Sequence, residues 1–118
     1  MYYVSKRMEI AGSHNLNLPY NSKCSKLHGH NWIITVYCKS RELTDYGMVI
    51  DFTQIKEHIQ NKLDHQYLNE LFDFNPTAEN IAKWVAMQVT SVCPEPAHCY
   101  RVEIQESEGN IAVYERDE

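Results

Sequence analysis

Residues 2 to 13 alternate imperfectly between apolar and polar types, with Tyr3, Val4, Met8 and Ile10 as the apolar members. A period of two predicts a first strand. From His28 to about Lys39 the run holds Trp32, Ile33, Ile34, Thr35, Val36 and Tyr37, types that pack well on a pleated surface, and it predicts a second. Between them Asn15, Asn17, Pro19, Asn21 and Ser22 mark a loop that carries Cys24. Asp45-Tyr46-Gly47 is a turn, after which the period changes. Phe52, Ile55, Ile59 and Leu63 fall at helical spacing, with Asp51 placed to accept an otherwise orphaned amide as N-cap. Residues 64 to 69 read as an exposed connection. Asn75-Pro76-Thr77 opens a second helix, capped by Thr77, with Glu79 in the first turn. Ile81, Trp84, Val85, Gln88, Val89 and Val92 trace its inward face, and Pro94 and Pro96 end it. Residues 100 to 106 and 111 to 114, joined by Glu108-Gly109-Asn110, form a closing hairpin.

The order is ββααββ. Local pairing makes a four-stranded antiparallel sheet with both helices on one face, an α+β layout spanning residues 1–118 as one domain. No repeat, linker or low-complexity stretch divides it. So short a sheet has two open edges, which invite pairing with copies of the same chain.

Composition narrows the class. Hydrophobic content of 43% and charged content of 23% are ordinary for a globular protein. The formal net charge is −5, with 16 acidic against 11 basic residues. That argues against broad electrostatic capture of nucleic acid or an anionic membrane, but leaves room for a small anionic substrate beside a few basic groups. Charges in the first residues exclude a signal peptide, and no apolar run nears the roughly 20 residues a membrane span needs. Cys24, Cys38, Cys93 and Cys99 have no framework spacing, so reduced thiols in a cytoplasmic protein are expected, although Cys93 and Cys99 are near enough in sequence for a local bridge.

The candidate chemistry centres on Cys24-Ser25-Lys26-Leu27-His28-Gly29-His30. His28 and His30 sit two apart on a strand, so both rings point to one face, and Gly29 between them lets a neighbour approach the other side of the backbone. His14, at the end of the first strand, supplies a third nitrogen. Three protein ligands with a fourth position open describe a catalytic zinc site. The same histidines can equally be half-buried and bonded to backbone or carboxylates. Cys24, in a polar loop beside a cation, is a candidate nucleophile or base. Asp64 next to His65 can orient the ring, although adjacent side chains of an extended segment point apart. Strict alternation puts Glu106 on the face of Val102 and Ile104, where a carboxylate needs a partner; a guanidine-like N–H edge would supply two hydrogen bonds. His58 and His98 read as surface histidines.

Taken in order, these landmarks resemble the 6-pyruvoyl-tetrahydropterin synthase superfamily, and within it the bacterial 6-carboxy-5,6,7,8-tetrahydropterin synthase branch of the queuosine pathway. They are His14, Cys24-x-x-x-His28-Gly29-His30, Gly47-Met48-Val49-Ile50-Asp51-Phe52, Leu63-Asp64-His65-Gln66-Tyr67-Leu68-Asn69, Asn75-Pro76-Thr77-Ala78-Glu79-Asn80 and Glu106-Ser107. The resemblance implies zinc on His14, His28 and His30. It implies Cys24 as general base, assisted by Asp64 and His65, and Glu106 as the group that holds a pterin ring. It implies the tunnelling fold (T-fold), whose subunits join sheets into a barrel, here as a hexamer built from two trimers with sites between subunits. The implied reaction converts 7,8-dihydroneopterin triphosphate to 6-carboxy-5,6,7,8-tetrahydropterin, releasing acetaldehyde and triphosphate without a nicotinamide cofactor. Lys23 and Lys26 are candidates to meet the triphosphate.

Two positions depart from the family's pattern. Ile10-Ala11-Gly12-Ser13-His14 stands where Phe-x-Ala-Ala-His is common, and Ser107 where Thr is frequent. Cys24 argues against a subgroup that carries glutamate there and makes a hydroxymethyl product. Short length and the close spacing of Cys24 and His28 favour the carboxy over the pyruvoyl synthase. A rival of another class is a zinc-stabilised binding module, in which Cys24 would close the site as fourth ligand.

Overall fold

A computed structural model describes all residues, Met1–Glu118. Strand β1 (Tyr2–His14) pairs antiparallel with β2 (His28–Ser40) along its whole length, Tyr2 opposite Ser40 and His14 opposite His28. This register puts Met8, Ile10 and His14 on the same face as Trp32, Ile34, Val36 and Cys38, all of them buried. The alternation seen in the sequence is the pleat itself: one face dry, the other open.

Helix α1 covers residues 52–63 as Phe52–Ile55, a π-helical turn Lys56–Gln60, and Asn61–Leu63. Its buried residues Ile55, Ile59 and Leu63 are spaced strictly by four, a spacing that drifts around a 3.6-residue helix. The wider π turn absorbs that drift and keeps all three against the sheet. Asp51 caps this helix, its Oδ1 accepting the Thr53 amide at 2.9 Å. Residues 64 to 71 are more than a connection. Gln66–Tyr67 forms a short strand β3 that runs parallel to β1 at Gly12 and Ser13, and Leu68–Leu71 forms a short helix α2 that buries Leu68. Two residues flanked by turns carry no readable period, so the sequence indicates four strands where the sheet has five.

Helix α3 (Ala78–Val92) starts at Thr77, whose Oγ1 accepts the Asn80 amide at 3.1 Å. Ala78, Ile81, Ala82, Val85, Ala86 and Val89 form its buried stripe, while Trp84 and Val92 pack at the margin. Three alanines in that stripe let the helix sit close over β4 (His98–Ser107) and β5 (Asn110–Glu115). Each fully buried Ile or Val here contributes about 1.5–3 kcal/mol relative to exposure. The sheet order is β3-β1-β2-β4-β5, with both long helices on one face. The class is α+β, as the sequence indicates, and no helix is long and apolar enough to cross a membrane.

Candidate metal centre and the two clefts beside it

Register assembles the three histidines. His14 lies opposite His28 and Gly12 opposite His30, so His14, His28 and His30 share the helix-covered face at one end of the sheet. Their ring centroids are 4.6 to 5.1 Å apart, and one ligating atom from each lies within 4.8 Å of the others. Two backbone carbonyls fix the rings. The Nδ1–H of His14 donates to Pro76 O at 2.9 Å, and that of His28 to Lys26 O at 2.7 Å. A carbonyl only accepts, so each Nδ1 carries the proton and each Nε2 keeps its lone pair, the tautomer a metal requires.

Those lone pairs have nowhere to go within the chain. Nε2 of His14 and of His30 are buried without a hydrogen-bond partner, and such orphans are rare in folded proteins. Burial holds both rings below their usual pKa, against an opposing pull from the Glu106 carboxylate and, for His14, from the Pro76 bond. Neutral imidazoles with orphaned, converging nitrogens fit a divalent cation such as zinc. Trp32 braces the set. Its indole meets His14 and His30 edge-on at 4.8 and 5.4 Å, and its Nε1–H donates to Gly12 O at 3.1 Å.

Glu106 reaches the same point. Its carboxylate stands 3.5 Å from His30 Nε2 and 3.8 Å from His14 Nε2, beyond hydrogen-bond length. A register irregularity between Gln105 and Ser107 sits at this position of β4. Cys24 lies in the 3-10 turn Lys23–Ser25, held by Ser22, whose Oγ accepts the Cys24 amide at 3.1 Å. A cleft of about 520 Å³ brings these together, lined by Lys23, Cys24, His28, Gly29, His30, Glu106, Ser107 and Asn110. Cys24 is not among the three converging ligands. Lys23 lines this cleft and Lys26 does not.

Asp64 and His65 lie elsewhere. Asp64 Oδ1 accepts the Ala11 amide at 2.9 Å and the His65 amide donates to Ala11 O at 2.7 Å, so this pair is sewn to the edge of β1. His65 adopts a left-handed backbone, φ +61°, which costs a non-glycine residue about 1–2 kcal/mol. Its side chain is 81% exposed, with Nε2 3.6 Å from Asp64 Oδ2. It borders a second cleft, of about 500 Å³, with Ala11, Gly12, Ser13, Gly29, His30, Asn31, Gln66 and Tyr67. By strand alternation Ala11, Ser13, Gly29 and Asn31 face away from the helices, so this cleft opens on the other side of the sheet. The bare Cα of Gly29 leaves that side open, as its place between the histidines suggests. No hydrogen bond or ion pair joins Asp64 or His65 to Cys24.

Several supports were invisible in the sequence. Asn69 clamps the backbone of Asn15 with both ends of its amide, at 3.0 and 2.8 Å, and Asn75 does the same to Asn17, at 2.9 and 3.1 Å. These clamps dock the segment after His14 beside Pro76, the carbonyl partner of His14. Asparagines in a loop signal turns; nothing local tells which backbone they will grip.

Residues 3–117 match the family profile described as 6-pyruvoyl tetrahydropterin synthase. The chain is 36% identical over 94 residues, 72% of each chain, to a 6-carboxy-5,6,7,8-tetrahydropterin synthase of Synechocystis. It is 30% identical, over 94% of its length and 93% of the relative's, to a 6-pyruvoyl tetrahydrobiopterin synthase of Dictyostelium discoideum. Among solved structures it resembles the 6-pyruvoyl tetrahydropterin synthase of Caenorhabditis elegans, with TM-score 0.77, 25% identity, and 98% and 96% of the two chains covered.

Proposed function

Since the chain belongs to the 6-pyruvoyl tetrahydropterin synthase family, we propose that it is a zinc-dependent 6-carboxy-5,6,7,8-tetrahydropterin synthase. In this reading one such domain, working in the cytoplasm on the queuosine route, converts 7,8-dihydroneopterin triphosphate and releases acetaldehyde and triphosphate. The observation that carries the reading is the convergence of two orphaned imidazole nitrogens on a cleft that also holds Cys24 and Glu106. The carboxy synthase named in Synechocystis supports the product assignment.

His14, His28 and His30 would hold zinc. As a Lewis acid at the side-chain hydroxyls, the ion supplies polarisation that acidifies the neighbouring C–H and O–H groups. Glu106 accepts two N–H bonds from the amino-pyrimidinone edge of the pterin and so fixes which carbon faces Cys24. The Cys24 sulfur takes and returns the proton at the side chain. Lys23, on the rim, faces the triphosphate. His65, oriented by Asp64, joins as the second proton-transfer group from a neighbouring copy, because its own chain holds it on the other side of the sheet. A hexamer of two trimers would bring the clefts of adjacent copies together.

One observation favours a sister activity. The Dictyostelium relative, a pyruvoyl synthase, aligns over almost its full length, and that reaction would use the same residues. A closed structural zinc site is disfavoured by the position of Cys24 outside the three-nitrogen group. The test is to incubate zinc-loaded protein with 7,8-dihydroneopterin triphosphate and identify products by mass spectrometry, with Cys24→Ala in parallel. Carboxytetrahydropterin and acetaldehyde, reduced about 10²- to 10⁴-fold in the variant, are expected. A pyruvoyl product moves the assignment to the sister activity, and no turnover with zinc bound overturns both.

A further inference from the structure

At the end of β2 and β4 far from the histidines, three cysteines converge that no part of the pterin chemistry uses. The β2–β4 register sets Cys38 opposite Cys99, where a shift between Tyr37 and Cys38 ends the regular ladder. Thr90, in the last turn of α3, ties the other two together. Its carbonyl accepts the Cys93 amide and its Oγ1 accepts the Cys99 amide, each at 3.1 Å. The Cys38 thiol is in hydrogen-bonding contact with both Cys93 and Cys99. Cys38 and Cys99 are sealed in the core, while Cys93, just past the helix end, is half-exposed. All three are free thiols.

We propose that Cys38 and Cys93 form a redox-active dithiol site whose co-reactant is a small disulfide of the glutathione type, with Cys93 as entry thiol and Cys38 as resolving thiol. The Cys93 thiolate attacks a sulfur of the small disulfide, which leaves as one thiol, and a mixed disulfide remains on Cys93. Cys38 then attacks the Cys93 sulfur, expels the second small thiol, and closes a Cys38–Cys93 bond. The protein loses two electrons and two protons, and the small disulfide gains them as two thiols.

The order of attack follows from position and from charge. Only Cys93 is open to an incoming reagent. Contact with Cys38 holds the Cys93 thiol below its usual pKa, although burial opposes this, and the same contacts hold Cys38 well above its own. The nucleophile is therefore the outer sulfur. The bond would fasten the end of α3 to the central strand β2. Cross-linking residues so far apart in sequence constrains the unfolded chain and raises its melting temperature.

The experiment equilibrates the whole protein with glutathione buffers of increasing oxidised fraction, quenches in acid, alkylates in denaturant and maps the peptides by mass spectrometry. The expected result is a Cys38–Cys93 linked peptide, Cys99 alkylated as a free thiol, and a melting temperature about 10 °C higher that reverts with dithiothreitol. Cys93→Ser should leave Cys38 and Cys99 fully alkylatable at every ratio. Three free thiols throughout the wild-type series, a lasting mixed disulfide on Cys93 with Cys38 free, or a Cys38–Cys99 bond in its place would each overturn the proposal. Cys24 is read from its own peptide and does not enter the result.

Discussion

Two clefts share Gly29 and His30 yet lie on opposite sides of one sheet, and they are built differently. The covered cleft gathers side chains whose polar atoms the fold leaves unsatisfied: His14 Nε2, His30 Nε2 and, between them, the Glu106 carboxylate. The open cleft is walled by small residues of β1 and β2 and by β3, with His65 standing free at its rim. Both depend on the pairing of β1 with β2, but only the first is complete in a metal-ligand sense, and only the second carries the Asp-His pair. The difference teaches that one chain holds two halves of a catalytic set. Burial makes the first half reactive toward a cation. The second half, in water and in a left-handed backbone, is poised for something beyond its own chain.

The sharpest way to break this comparison is complementation. Cys24→Ala and His65→Ala should each be nearly inactive, down about 10²- to 10⁴-fold. If His65 serves the cleft of another copy, dissociating and reassembling the two variants together restores turnover at sites that pair an intact Cys24 with an intact His65. If both act within one chain, the mixture stays as inactive as its parts. Unchanged zinc content in both variants would confine the effect to proton transfer.

A smaller effect separates the two faces energetically. A Cβ on Gly12 would stand 3.3 Å from Trp32 Nε1 and from Leu68 Cδ1, both side chains buried. Gly12→Ala should therefore cost about 1–3 kcal/mol in chemical unfolding and weaken zinc binding about 10- to 100-fold by displacing the indole that braces His14 and His30. Ser13→Ala, one residue on but facing the open cleft, should stay within about 0.5 kcal/mol. Equal losses at both positions would refute the distinction.

The smallest expected effect is on pH dependence. His14 and His30 are held below the ordinary value of 6.5 by burial. As pH falls past 6.5 the unfolded chain takes up protons that the folded chain refuses, so stability of the metal-free protein declines until the folded pKa values are reached. Melting temperatures of chelator-treated protein between pH 7.5 and about 5 should slope downward toward acid, and His14→Gln should flatten the slope. An equal slope in the variant would remove His14 as its source.

Much of this molecule is legible in local pattern. The alternation of β1 and β2, the four-residue spacing of Ile55, Ile59 and Leu63, and the caps at Asp51 and Thr77 all follow from chain geometry over a few residues. The two-apart spacing of His28 and His30 belongs with them, because a strand cannot place such a pair on different faces. The family resemblance rests on the same short motifs and extends them to His14, Cys24 and Glu106, which the fold does bring to one cleft.

What tertiary structure alone decided are the relations between distant segments. Strand β3 is two residues long, too short for any period, and exists because Ala11 offers its amide and carbonyl to Asp64 and His65. The tautomer of His14 is set by Pro76, and the loop between them by Asn69 and Asn75, partners no spacing rule identifies. The separation of His65 from Cys24 and the meeting of Cys38, Cys93 and Cys99 are likewise outcomes of register and packing. Local sequence determines what each segment can be, because backbone sterics and side-chain periods act over a few residues. Which lone pair is left bare, and which thiol finds another, depends on groups brought together across tens of residues, and only the packed chain decides that.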